Sequence, residues 1–217
     1  MIEIKNNMIR GVEKIPGINL LQILKINDKN FLMFPKTGTR TIRDTFLTLH
    51  NLYKNSDAWS HINYISKNNF QTIFNDPKTL IPLRHPLDRL HSCWKQKISS
   101  QRDNGLFYFF QYYPIIRPEM SFLDFMKVLE TLPQFTFEKH FIPLSYFLSN
   151  DTHHKYSFFD IKLLNQKLSD ETGIKKINKS NSTQILVPSD TETNFYEDNL
   201  KHVYRRDEDL FTQYKYD

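Results

Sequence analysis

Apolar residues recur along this chain in two registers, one alternating and one helical. Ile18–Ile26 and Asn30–Phe34 are short apolar runs on either side of the turn-forming cluster Asn27-Asp28-Lys29-Asn30, which predicts a β-hairpin. The second run leads straight into Pro35-Lys36-Thr37-Gly38-Thr39. Beyond it Ile42, Phe46, Leu49 and Leu52 fall on one helical face. Thr79–Leu83 reads as a further short strand that ends at Arg84 and opens a second strand-to-helix unit. His85-Pro86 breaks that strand, and Asp88 lies near the start of a helix running to about Ile98. Phe122 to Leu132 predicts an amphipathic helix. Tyr156–Phe159 predicts a strand leading into a helix from Ile161 to about Thr172, stopped by Gly173. Leu200, Val203, Tyr204, Leu210 and Phe211 form the stripe of a terminal helix.

Strands alternating with helices imply an α/β fold, one domain with a central, mainly parallel sheet flanked by helices. Residues 1–30 form an N-terminal hairpin or extension, and 31–217 form the core. The segment Gln101–Pro118 is aromatic and punctuated by Pro114 and Pro118, and is expected to be a loop near a substrate. No internal repeat or low-complexity block interrupts this order.

Composition narrows the classes of function. A chain of 217 residues with 39% hydrophobic and 24% charged residues has the makeup of an ordinary globular domain. Its net charge of +5 suits an anionic ligand but falls well short of a nucleic-acid-coating surface. A single cysteine, Cys93, excludes an intrachain disulfide framework and a multi-cysteine metal site. No run approaches the roughly 18 apolar residues that span a bilayer, and the N-terminus lacks an apolar signal core. The expectation is a soluble, cytoplasmic protein; its oligomeric state is unreadable.

Two strings carry chemistry. In Phe34-Pro35-Lys36-Thr37-Gly38-Thr39-Arg40-Thr41, Gly38 lets the backbone turn close to an anion. The amides that follow open a helix whose N-terminus attracts negative charge. Thr37, Thr39 and Thr41 offer hydroxyls, and Lys36 offers a mobile full charge. A Walker A loop would place its lysine after the second glycine and hold magnesium through a Ser or Thr. Here Lys36 precedes the only glycine, and no good acidic strand end offers itself for a metal, since Asp76 follows a poor strand. Alone, the string is also what an incidental turn between strand and helix looks like.

The second string is Leu83-Arg84-His85-Pro86-Leu87-Asp88-Arg89-Leu90-His91-Ser92-Cys93-Trp94. An arginine fork at a strand end and a serine hydroxyl on the next helix suit a second phosphate. Arg89 and Ser92, three apart, share a helix face. Taken singly, Arg89 could be a solvated charge and Ser92 a packed small residue.

Together the strings resemble the sulfotransferase superfamily, whose members carry P-K-[TS]-G-[TS]-x-[TS] and, some fifty residues on, R-x-P-x-x-R-x-x-S. Weaker similarities extend the match. Lys139–Leu144 resembles an H-[WF]-x-P segment, and Phe158-Phe159-Asp160 with Leu163 resembles a strand end. Asn178-Lys179-Ser180 is similar to an N-x-S element, and Tyr204–Phe211 to a closing Y-x-x-D-x-x-L-F helix. The pattern is nearest to the carbohydrate (Golgi-type) branch.

The resemblance implies a sulfuryl transfer from 3′-phosphoadenosine 5′-phosphosulfate to an acceptor hydroxyl, a glycan favoured, without a metal. It implies that Lys36, Thr37, Gly38, Thr39, Arg40 and Thr41 hold the 5′ end of the donor, with Lys36 also catalytic. Arg84 and Ser92 would hold the 3′-phosphate. It implies a His or Glu base, for which His61 is the candidate and His140 the runner-up, the latter at an acceptor-side segment. His50, His85 and His91 receive no task, the His153-His154 pair reads as a polar loop, and Cys93 reads as a small buried helix residue. Three other readings remain: a nucleoside-triphosphate-dependent phosphotransferase, a basic nucleic-acid-binding module, and a fold of this family that binds without catalysing.

Overall fold

A computed structural model describes residues 22–52, 63–64, 76–99, 115–134, 137, 140–147, 157–175, 177 and 187–214. The predicted hairpin forms from β1 (Gln22–Ile26) and β2 (Lys29–Met33), antiparallel, with Ile26 opposite Lys29. Its two-residue turn needs a left-handed residue, and Asn27 supplies it at φ 53°. Helix α1 (Thr39–Leu49) follows. The short β3 (Asn63–Tyr64) pairs antiparallel with β1. Next come β4 (Thr79–Leu83) and α2 (Pro86–Trp94), the latter continued by a π-turn at Lys95–Ser99. The remaining elements are α3 (Phe122–Thr131), a 3₁₀ turn (Leu144–Phe147), β5 (Ser157–Asp160), α4 (Leu164–Thr172) and α5 (Asp190–Phe195). A second π-turn, Tyr196–Leu200, joins α5 to α6 (Lys201–Tyr214).

The strands form one sheet in the order β3-β1-β2-β4-β5. β2, β4 and β5 run parallel, and the hairpin adds antiparallel pairings on one side. This is the α/β architecture expected from the alternation of elements, with the hairpin built into the sheet.

Period-two alternation sorts the strand side chains onto two faces. Ile23, Leu32, Ile81, Leu83 and Phe158 point into one core, shared with α2, α3 and α6. Leu24, Ile26, Phe31, Met33, Leu80 and Phe159 point into the other, closed by Ile42 and Phe46 of α1 and Leu164 and Leu168 of α4. All five residues of β4 are buried, as befits a parallel strand covered on both faces.

β4 contains Pro82, which has no N–H to donate. Its pairing with β2 covers only Thr79 and Leu80, while its pairing with β5 continues to Leu83. Past Leu80, then, β2 and β4 share no ladder, and the chain leaving β2 turns away at the carboxyl end of the sheet. That edge is where α/β sheets place their ligands.

On one side of the sheet a buried polar network ties three elements together. Arg89 of α2 is 1% exposed; its Nη2 donates to the Ile142 carbonyl and lies 3.9 Å from Asp207 Oδ2 of α6. The Asp207 carboxylate accepts from the backbone amides of Leu144 (2.6 Å) and Ser145 (2.7 Å). The Tyr204 hydroxyl donates to the Phe141 carbonyl at 2.5 Å. Arg89 is thus no solvated charge. It and α6 together pin the turn at 140–147.

Removing the carboxylate would leave a buried guanidinium uncompensated and two buried amides without acceptors. Asp207→Ala is expected to lower unfolding stability by about 3–5 kcal/mol. The exposed Asp209→Ala control should change it by no more than about 0.5 kcal/mol in the same urea titration.

Candidate functional site

The loop after β2 turns on two left-handed residues, Lys36 at φ 73° and Gly38 at φ 86°. Glycine occupies the second position for a steric reason as well. A Cβ there would lie 2.3 Å from Leu164 Cδ2, in a wall completed by Ile161. Lys36 has no such clash and accepts the backbone cost of a non-glycine residue in that region. Thr37 between them is fully buried, and both its N–H (3.3 Å) and its hydroxyl (2.9 Å) donate to the Phe34 carbonyl. Thr37 therefore braces the loop, where the sequence suggested a hydroxyl offered to the anion.

Gly38 is the N-cap of α1, with no side-chain cap. The first intrahelical bond runs from Ile42 N to Gly38 O at 3.1 Å, so the amides of Thr39, Arg40 and Thr41 precede the helical ladder. No acidic residue sits in this first turn, and Arg40 there is exposed. A cation at a helix N-terminus opposes the helix dipole, so this end of α1 is left for an anion from outside to neutralise.

The second string closes on the first. Arg84 follows β4 and is partly buried; its Nη1 donates to the Lys36 carbonyl at 3.4 Å. The next residue holds it in place. His85 Nε2 lies 3.5 Å from Glu208 Oε1, and its ring stands edge-on to Phe211 at 5.4 Å. Pro86 then starts α2 at the position where a missing N–H costs nothing. Ser92 is 6% exposed on the buried side of α2, and Cys93 beside it is buried as expected.

Lys36 is the electrostatic centre of this group. Burial pushes its ammonium down to about pKa 8. The Cys93 thiol opposes that fall, whereas Lys97, Arg84 and Arg40 add to it. Three cations and no carboxylate are thus among the strongest influences on a buried lysine. Arg84 is likewise lowered, first by burial, with Asp88 opposing and Arg89 adding.

Asp76 is elsewhere. Its carboxylate accepts from Asn30 Nδ2 at 2.7 Å and from the Lys78 amide at 2.9 Å, at the amino ends of β2 and β4. Asp160, level with Leu83, caps its own 3₁₀ turn by accepting from Lys162 N at 2.9 Å.

The model of the sulfotransferase family matches residues 8–171, well over half of the chain. The chain belongs to the sulfotransferase family. Neither the curated proteins nor the solved structures give a match. Membership makes it an enzyme of the sulfotransferase class, one that moves sulfuryl groups.

Within this sulfotransferase Lys36, Gly38, Thr39, Arg40 and Thr41 follow the carboxyl end of β2, Arg84 follows that of β4 and bonds the Lys36 carbonyl, and Ser92 lies on α2. His140 is half-buried at the turn that Arg89, Tyr204 and Asp207 pin. His61 lies outside the described residues, as do Asn178-Lys179-Ser180 and His153-His154; β3 starts two residues after His61. One residue that the motifs do not contain joins the group. Gln96, in the π-turn after α2, accepts a hydrogen bond through its side-chain oxygen from Lys36 Nζ. Its one sequence signal was its place four residues after Ser92. Among the described residues no helix is long and apolar enough to cross a membrane.

Gly38→Ala meets both the left-handed backbone and Leu164. The variant is expected to lose about 2–3 kcal/mol of stability in chemical denaturation. A double-mutant cycle with Leu164→Ala should show a coupling of more than about 0.5 kcal/mol, because the second change makes room for the first.

Proposed function

We propose that this sulfotransferase takes its sulfuryl group from 3′-phosphoadenosine 5′-phosphosulfate and passes it to an acceptor hydroxyl, with a glycan favoured by branch resemblance. The observation that carries the reading is a half-buried Lys36 at the open end of α1, its carbonyl held by Arg84 and its ammonium depressed by burial and by Lys97, Arg84 and Arg40, with no carboxylate among its strongest influences. Such a cluster suits a ligand with two anionic ends. The amides and hydroxyls of Thr39 and Thr41, with Arg40, would take the 5′ end, and Arg84 and Ser92 the 3′-phosphate.

The donor supplies an activated sulfuryl group. The acceptor oxygen bonds to sulfur, the bond from sulfur to the 5′-phosphate oxygen breaks, and that oxygen leaves with the electron pair. Charge grows on the leaving oxygen, so a cation placed there favours the transition state over the ground state. Lys36 has that role. A buried cation in a poorly solvated pocket acts more strongly than one in water.

A base must also take the acceptor's proton, for which we propose His61, with His140 second. His140 stands on a turn fixed by the Arg89–Asp207 network, which suits a residue bracing the acceptor side. No step is assigned to a metal. Asp76 is committed at the amino edge of the sheet.

The donor reading is tested by unfolding the protein with adenosine 3′,5′-bisphosphate and, separately, with ATP and magnesium or with an oligonucleotide. At about a hundred times its dissociation constant the bisphosphate should add roughly 2.7 kcal/mol. A shift with magnesium-ATP or oligonucleotide and none with the bisphosphate would sink the reading. Lys36→Ala should abolish transfer from labelled donor while the fold persists; full turnover would remove Lys36 from the mechanism.

For the base, His61→Ala should lower turnover by about 10²–10⁴-fold. If His140→Ala has that effect and His61→Ala does not, the assignment passes to His140.

A further inference from the structure

A buried ammonium has to spend its three donors on something, and at Lys36 one of them goes to a neutral amide. Gln96 lies four residues after Ser92, on the stretch where α2 widens into the π-turn Lys95–Ser99. A π-turn re-aims the side chains beyond it, and such turns cluster where a helix serves a site. Here it brings Gln96 against Lys36 Nζ and Lys97 near enough to depress the Lys36 ammonium further. At its other end Lys36 is fixed by its left-handed backbone and by Arg84 on its carbonyl. The lysine is therefore held at both ends, by two elements that also carry the residues assigned to the 3′-phosphate.

We infer that Gln96 is a positioning residue for sulfuryl transfer, its amide oxygen holding the Lys36 ammonium charged and in place. The inference rests on the reading of Lys36 as the cation for the leaving phosphate. The choice of an amide follows from that task. A donor-only ammonium requires an acceptor, but a carboxylate would cancel the charge that the leaving oxygen needs. An amide oxygen favours the charged form without neutralising it. The titratable and charged groups facing Lys36 are Arg84 from the end of β4, Arg40 from α1, and Cys93 and Lys97 from α2 and its π-turn. Three of these are cations and press toward proton loss. Gln96 opposes them by hydrogen bonding alone.

The test reads Lys36 directly. Protein labelled with ¹³C at lysine Cε is titrated by NMR, with the Lys36 resonance identified by its disappearance in Lys36→Arg. In the wild type the ammonium is lost as pH rises through about 8. In Gln96→Met, which removes the acceptor, the midpoint should fall by about one pH unit. In Gln96→Glu, which adds a charge, it should rise above the wild-type value.

Adenosine 3′,5′-bisphosphate, titrated into the same proteins at pH 8, should bind about fivefold more weakly to both variants. In one the cation is lost, and in the other it is cancelled. Opposite shifts of the midpoint together with a common loss of affinity are not what a merely structural glutamine would produce. Coincident midpoints in the three folded proteins would overturn the inference. If the midpoints separate but the bisphosphate binds none of the three, the donor reading falls while the hold of Gln96 on Lys36 stands.

Discussion

A half-buried lysine ammonium repelled by three other cations is an arrangement a folded chain does not adopt for stability. Burial and like charge both disfavour the charged form, and here both act on Lys36. The surrounding structure is arranged to keep the charge there all the same. Thr37 locks the loop onto the Phe34 carbonyl, Gly38 lets α1 begin within van der Waals reach of α4, and Arg84 and Gln96 hold Lys36 at carbonyl and ammonium. An anion would relieve this repulsion, and two anionic ends on one molecule would relieve it at both motifs. The binding energy of such a ligand would come partly from strain already present in the free protein.

The parallel strands make that possible. β2 and β4 each deliver a motif to the same edge because they run in the same direction, and the ladder between them ends early, at Leu80. Pro82, an unusual residue for an interior strand, has no N–H to continue it. The two cores on either side of the sheet then fix α1 and α2 relative to these strand ends. The helix that bears Ser92 and Gln96 is further secured by Arg89, whose side chain reaches across to the 140–147 turn and to Asp207. Its Nε and Nη1 make no hydrogen bond among the described residues. Arg89 is therefore retained at some cost to stability, as expected of a group that specifies geometry.

Much of this was legible in the sequence because it is local. The hairpin, the two strand-to-helix turns and the terminal helix follow from periodicity and from Gly, Pro and Asn at positions with one mechanical use. Glycine before α1 and the lysine ahead of it suggested an anion loop and Arg84 with Ser92 a second anion, and what the structure adds is Arg84 on the Lys36 carbonyl. What periodicity could not convey was long-range and directional. Arg89 and Ser92 share a face in either reading, and only the packing of α2 against the 140–147 turn shows that the arginine is buried. Thr37 looked like Thr39 and Thr41 until the left-handed Lys36 and Gly38 turned it inward. Gln96 lacked any distinguishing pattern, since its aim depends on a π-turn whose single extra residue leaves no trace in the spacing of apolar positions.

The same distinction explains why donor and acceptor are unequally readable. A donor with fixed phosphates is recognised by backbone geometry and full charges, which require particular residues at particular steps along one strand and one helix. An acceptor hydroxyl is neutral and small, and its recognition falls to loops and to one proton acceptor, with no spacing rule to satisfy. His140 shows the difference: its turn is fixed by Ile142, Leu144 and Ser145 through backbone groups, so the network that places it says nothing about the identity of its side chain. Sequence reasoning reaches a site to the extent that the ligand's charge is fixed in space, and in this sulfotransferase that extent ends at the lysine.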